Sequence, residues 1–258
     1  MAPTAANVIE TVELSCPPFP AELAGRSQHQ LIATIERLTE RHRRRPSASF
    51  GAELRAVYAC AGEKHCQSGS DPRMFKLLQR PAVEPILFSQ WRAFTAWDIN
   101  VHLLRDMASR MQGRAINIRS RAAFSRPNVA GLADRFAPPK SATDWLVPIS
   151  RDVLTLTYEP LTLSCILYAF IILNHPFEDC NGRLARSLIH AALARRTGYC
   201  CPFLPLAPAF MKEGEANRHA LRKLSRTGDW LTFRERFLSV MHTAVELASL
   251  DLEHSPQN

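Results

Sequence analysis

Leu161 to Leu173 forms a run of 13 residues interrupted only by Thr162 and Ser164, and it is the longest apolar stretch in the chain. It falls short of the ~20 residues that a membrane-spanning helix requires, so it reads as a helix buried in a protein core. A chain of 258 residues with 46% hydrophobic content is long enough to bury such an element. Pro160 suits the first position of that helix. Directly after the apolar run the composition inverts, and Asn174 to Arg183 is compact and polar. The pattern is one of a buried helix that ends in a chemically dense loop.

The rest of the chain reads as mostly helical. Ser27 to Gln30 has the form of a capping box before Leu31, Ile32, Ile35 and Leu38 at helical spacing. That helix is expected to end in Arg41 to Arg45, ahead of Pro46, because cations suit a helix's carbonyl end. Further helices are expected over Ser49–Ala61, Pro85–Met111, Ser150–Tyr158, the stretch after Arg183, Ala209–Leu224 and Trp230–Leu250. Between Gly113 and Pro148 the periodicity fails, and short alternating pieces there predict a small hairpin among loops. The first ~26 residues are Pro-rich and aperiodic, which predicts an extended arm. The fold class is all-α with one small β element.

The net charge of +8 favours acidic partners such as nucleotides, nucleic acid or an acidic protein. Aromatic residues do not interleave with Arg41–Arg45 and no helix-turn-helix is evident, so no nucleic acid is expected and the run reads as a solvated helix end. The first 25 residues include Glu10, Glu13 and four prolines, without the basic and apolar regions of a signal peptide. The 7 cysteines show no zinc-site spacing, so reduced thiols are expected. A cytoplasmic location follows, or delivery into a host cytoplasm as an effector, with no membrane span.

Residues 175–186 place one His, two carboxylates, one amide, one Gly and two Arg between two helices. A helix starting near Asn181–Gly182 points unpaired N–H groups into the loop and makes an anion site. Arg183 and Arg186, three apart, can clamp phosphates. Asp179 can hold Mg²⁺, which commonly takes one or two protein carboxylates plus phosphate oxygens. His175 can act as general base toward a hydroxyl, with a reference pKa near ~6.5. These are the parts needed for in-line attack on a nucleotide phosphate.

The order His175-Pro176-Phe177-Glu178-Asp179-Cys180-Asn181-Gly182-Arg183, with Arg186, resembles the Fic family motif H-P-F-x-[DE]-G-N-[GK]-R-x-x-R. Cys180 stands where Gly is usual. Phe136-Ala137-Pro138-Pro139 is similar to the segment that follows the family's flap, and Gly228-Asp229-Trp230-Leu231-Thr232-Phe233 to a downstream G-D-x-x-P-[LF] segment. The flap's usual G-x-[FY]-R lead-in is not matched at Gly113-Arg114-Ala115-Ile116. The resemblance implies a Fic-fold helical bundle with a β-hairpin flap over 81–250, preceded by an arm and helical region (1–80) and followed by a frayed tail (251–258).

It also implies transfer of AMP from ATP, with Mg²⁺, to a Ser, Thr or Tyr hydroxyl of a target protein. His175 would be the base and Asp179 the metal ligand. Cys180, Asn181 and Gly182 would cradle phosphates, and Arg183 and Arg186 would clamp them. Gly182 separates the chain from Doc-like members, which carry Lys there and phosphorylate. Transfer of UMP or phosphocholine, or an inactive nucleotide- or partner-binding scaffold, are the alternatives. The family's inhibitory [ST]-x-x-x-E-[GN] motif is matched only in part, at Ser49–Glu53, Thr155–Glu159 and Ser249–Glu253. Restraint by a small, antitoxin-like partner is therefore expected. If the loop needs positive φ at Cys180, its Cβ costs about 1–2 kcal/mol.

Overall fold

The structure is a computed structural model. It describes residues 11–15, 17–18, 20, 23, 28–43, 101–112, 114–125, 132–141, 158–197 and 204–254. In chain order the described elements are β1 (Thr11–Glu13), α1 (His29–Arg43), α2 (Val101–Gln112), β2 (Ala133–Arg135), a 3-10 turn (Pro139–Ser141), α3 (Pro160–Asn174), α4 (Asn181–Thr197), α5 (Leu206–Lys212), α6 (Gly214–Thr227) and α7 (Trp230–His254). Among the described residues, no helix is long and apolar enough to cross a membrane.

The apolar run is α3, and thirteen of its residues are buried. Its two polar interruptions are satisfied. Thr162 Oγ1 accepts from Arg234 Nε of α7 at 3.2 Å, and Ser164 Oγ donates to the Pro160 carbonyl at 2.7 Å. Pro160 opens the helix, and Glu159 caps it by accepting from the Thr162 N–H at 3.2 Å. Burial raises the Glu159 carboxyl's affinity for its proton. Helix α3 packs along α4, and α7 packs on α1, α3, α5 and α6. Leu104, Leu161, Ile166, Ile171, Leu184, Phe233 and Phe237 meet in the resulting core. Each such side chain contributes about 1.5–3 kcal/mol when fully buried.

Helix α1 matches its expected span, with Leu31, Ile35 and Leu38 buried. Its expected cap, Ser27, lies outside the described residues, as do the helix expected over 49–61, most of 85–111, and 150–157. Three local features differ from expectation. The arm's Thr11–Glu13 is a strand that pairs in parallel with β2, Val12 opposite Asp134. The arm is also held by Ser15 N–H donating to Ser225 Oγ at 2.6 Å and Trp230 Nε1 donating to the Pro18 carbonyl at 2.9 Å. The stretch 209–224 is broken at Glu213, whose carboxylate accepts from Arg236 and Thr243 of α7. Gly214 follows directly, and the ion pair with α7 holds the Glu213 carboxylate at the break.

The small β element is antiparallel in its arms. Ser125 N–H donates to Asp134 O at 2.8 Å and Phe136 N–H to Ala123 O at 3.0 Å. Asp134 is buried and accepts from Arg222 Nε of α6 at 2.5 Å, which anchors this flap to the bundle. Gly228 ends α6 at φ 68°, a left-handed value that Gly takes without a Cβ penalty. Asp229 then caps α7 by accepting from the Thr232 N–H at 3.0 Å. The Lys223 ammonium and the Thr232 hydroxyl hold the Asp229 carboxyl well below the usual carboxylate range.

Candidate active site

The site lies at the turn between α3 and α4, where the buried helix must stop. His175 closes α3 in the left-handed region at φ 46°, and its N–H donates to Ile171 O at 3.0 Å. Its ring stacks on Phe136 of the flap, with centroids 4.0 Å apart at 13°. Nδ1 is shielded from solvent, and the Ile172 carbonyl is the backbone acceptor beside the ring. Burial, then the neighbouring Arg119 guanidinium, lowers the His175 pKa to about 4. At neutral pH the imidazole is uncharged, as a general base must be.

Phe177 is fully buried and pins the loop to the core. The Asn181 side chain closes the loop, accepting from Phe177 N–H at 3.1 Å and donating to Phe177 O at 2.8 Å. Segment 117–119 lies antiparallel along it, with Arg119 N–H donating to Pro176 O at 3.0 Å and Glu178 N–H to Asn117 O at 3.1 Å. These contacts hold the loop in one shape.

Cys180 adopts φ 69°. The usual Gly is thus explained, and this chain places a side chain in a left-handed position. Cys180 is buried, and burial raises its thiol pKa. Its N–H donates to Asp179 Oδ1 at 2.6 Å. Helix α4 begins at Asn181, as expected, with Leu184 N–H donating to Cys180 O at 2.9 Å. The N–H groups of Asn181, Gly182 and Arg183 therefore open the helix toward the loop. A Cβ on Gly182 would stand 3.5 Å from Arg186 Nη1, so Arg186 lies across this first turn. Burial pushes the pKa of the nearby Tyr168 hydroxyl up to about 12.

The seven expected site residues thus meet on one loop and the first two turns of α4. Asn181 differs in use, since its side-chain amide serves the loop and only its backbone N–H is left to face an anion. Arg183 reaches away from the helix, donating from Nη1 to Met111 O at 3.0 Å and from Nη2 to Gln112 Oε1. Asp179 Oδ2 accepts from Gln112 Nε2 at 2.7 Å and lies 3.8 Å from Arg114 Nη2. Glu159 of the second partial inhibitory motif caps the other end of α3, away from His175.

Two residues escaped the sequence reading. Gln112 ends α2 and binds the motif's carboxylate, thiol and guanidinium together. Arg119 is buried without a carboxylate partner among the described residues. It donates to the carbonyls of His175 at 2.5 Å, Asn174 at 3.0 Å and Arg121 at 3.1 Å, and to that of Ala137. It fastens the flap to the end of α3. The one signal for it was its place after Ile116–Asn117–Ile118, three residues beyond where a lead-in Arg was sought.

Residues 95–193 match the model of the Fic/DOC family. Over 94 residues the chain is 33% identical to protein adenylyltransferase fic-1 of Caenorhabditis elegans, a stretch covering 36% of this chain and 16% of that relative's length. By structure the chain is similar to a Fic family protein from Desulfovibrio desulfuricans G20, with TM-score 0.63, 16% identity, and 95% of this chain and 79% of that one covered. It is also similar to a segment of Fic-1 from C. elegans, with TM-score 0.50, 16% identity and coverage of 87% and 72%. At these identities the structural likeness bears on the fold.

Proposed function

The chain belongs to the Fic/DOC family, and from that premise we propose that it transfers AMP from ATP to a Ser, Thr or Tyr hydroxyl of a target protein. The observation that carries this reading is the juxtaposition of a neutral His175, held by Phe136 and the end of α3, with the open N-terminus of α4, which begins at Asn181. Nδ1 is closed off, so Nε2 is the atom that can meet a hydroxyl, and the proton of the neutral ring then sits on Nδ1. The acceptor oxygen forms a bond to the α-phosphorus. The bond from that phosphorus to the bridging oxygen breaks and pyrophosphate leaves. The hydroxyl proton passes to His175.

The N–H groups of Asn181, Gly182 and Arg183, with the helix dipole, suit the phosphate oxygens. Arg183 and Arg186 supply cationic donors on the same first turns. Asp179 fits Mg²⁺. A single, half-exposed carboxylate beside a phosphate site is the arrangement this ion uses, rather than an all-protein cage. When bound, the ion neutralises phosphate charge. The test is labelled ATP and a host lysate, with wild type compared to His175→Ala. Label transfer is expected to fall at least ~10²-fold while the far-UV spectrum is kept. Equal labelling by the variant would overturn the proposal.

A further inference from the structure

We propose that Gln112 is a positioning residue that keeps Asp179 and Arg183 from pairing with each other, and so holds both ready for Mg²⁺ and phosphate. The proposal rests on the nucleotide-binding reading above. Gln112 is the last residue of α2 and reaches the motif from 67 residues away in sequence. Its Nε2 donates to Asp179 Oδ2 at 2.7 Å, and its Oε1 accepts from Arg183 Nη2 and from Cys180 Sγ, the latter at 3.4 Å. Only one orientation of the amide satisfies this set. An ionised carboxylate only accepts and a guanidinium only donates.

Asp179 and Arg183 occupy opposite ends of one primary amide, so they are within reach of each other. Without the amide the geometry favours a direct ion pair, and Arg–carboxylate pairs are strong, often bidentate. Such a pair satisfies each charge internally. Arg183 then offers less to phosphate and Asp179 less to a metal ion. The amide binds both groups while adding no charge, and an amide contact is more readily exchanged for an anion or a cation than an ion pair is. Two further contacts keep the arrangement in place. Arg183 Nη1 donates to Met111 O at 3.0 Å, at the carbonyl end of α2 where cations are favoured. Asp179 Oδ1 accepts from Cys180 N–H at 2.6 Å.

The test is calorimetric ATP binding in EDTA, where transfer plays no part. Gln112→Ala is expected to weaken binding about tenfold, the effect of removing one charged donor from a phosphate. Adding Asp179→Asn to that variant is expected to recover most of the loss, because an amide cannot hold Arg183 as an ion pair. Gln112→Glu, which keeps the side chain's shape, is expected to lose about as much. Adding Asp179→Asn to it is expected to recover little, since the new carboxylate itself holds Arg183. A purely structural role for Gln112 would lower the melting temperature and show no such rescue. Binding by Gln112→Ala within threefold of wild type overturns the proposal, as does a loss that Asp179→Asn leaves in place. A wild type that binds ATP only with Mg²⁺ also overturns it, because an Arg183 held ready needs no metal. Wild type that binds no ATP with or without Mg²⁺ overturns the nucleotide reading itself.

Discussion

Replacing Arg119 with Met removes four hydrogen bonds while keeping most of the side chain's volume. Two of the carbonyls left behind, those of Asn174 and Ala137, are bonded in the buried interior. Each buried polar group stranded in this way costs about 1–3 kcal/mol. The other two, on His175 and Arg121, are part-buried and regain water at a smaller cost. Against this stands relief of the guanidinium's own desolvation, which already lowers its proton affinity. The carbonyls of Asn174 and His175 end α3, where the helix dipole offsets part of that penalty in the wild type. A net loss of about 3 kcal/mol follows, a large fraction of the ~5–15 kcal/mol stability of a typical domain. Urea unfolding followed by circular dichroism measures it, as a lower midpoint with an unchanged slope. A loss below about 1 kcal/mol would show that these carbonyls are satisfied without Arg119, and the account of the flap's anchoring would fail.

If His175 is the base as proposed, its lowered pKa sets the acid limb of transfer. The folded value of about 4 lies below the unfolded one, so the base stays neutral from neutral pH down to about pH 5, and rate is expected to fall nearer pH 4 than pH 6.5. In Arg119→Met the limb should move upward, because a cation that disfavours the imidazolium is gone, and an unmoved limb would contradict that cause. Asp179→Ala is expected to remove the Mg²⁺-dependent part of ATP binding, and calorimetry showing the same Mg²⁺ dependence would leave Asp179 as a loop cap. Cys180→Gly relieves about 1–2 kcal/mol of left-handed strain. It gives up a buried thiol of roughly 1 kcal/mol and adds about 0.4–1 kcal/mol of unfolded-chain entropy. Its stability is thus expected within about 1 kcal/mol of wild type, with transfer equal or raised, and abolished transfer would mean that the thiol has a further role.

The buried helix, the start of α4 and the motif between them were legible because their causes are local. An apolar run with no polar face can only be enclosed, and Pro160 and Asn181 mark where it and its successor begin. The parallel pairing of β1 with β2 was not legible. Each strand is three residues long, too short for an alternating pattern, and their pairing joins residues 122 apart. The break at Glu213 had one local sign, Gly214, but what holds it was not legible for a related reason. The carboxylate's partners, Arg236 and Thr243, lie on another helix, and nothing near Glu213 in sequence announces them.

The site divides along the same line. Residues 175–186 carry their chemistry in sequence order, so spacing alone placed them, and the substitution at Cys180 even carried its backbone conformation. A position where Gly is usual requires φ that Gly takes freely, and Cys180 sits at φ 69°. What spacing could not convey is how each group is already engaged. The Asn181 amide is spent on Phe177, Arg183 is held at the end of α2, and His175 is made neutral by burial and by an arginine 56 residues earlier. Gln112 and Arg119 are ordinary polar residues in their local sequence and acquire meaning only when α2 and the flap dock on the loop. The inventory of the candidate site is therefore a property of one short segment, whereas its arrangement depends on elements brought to it by the fold.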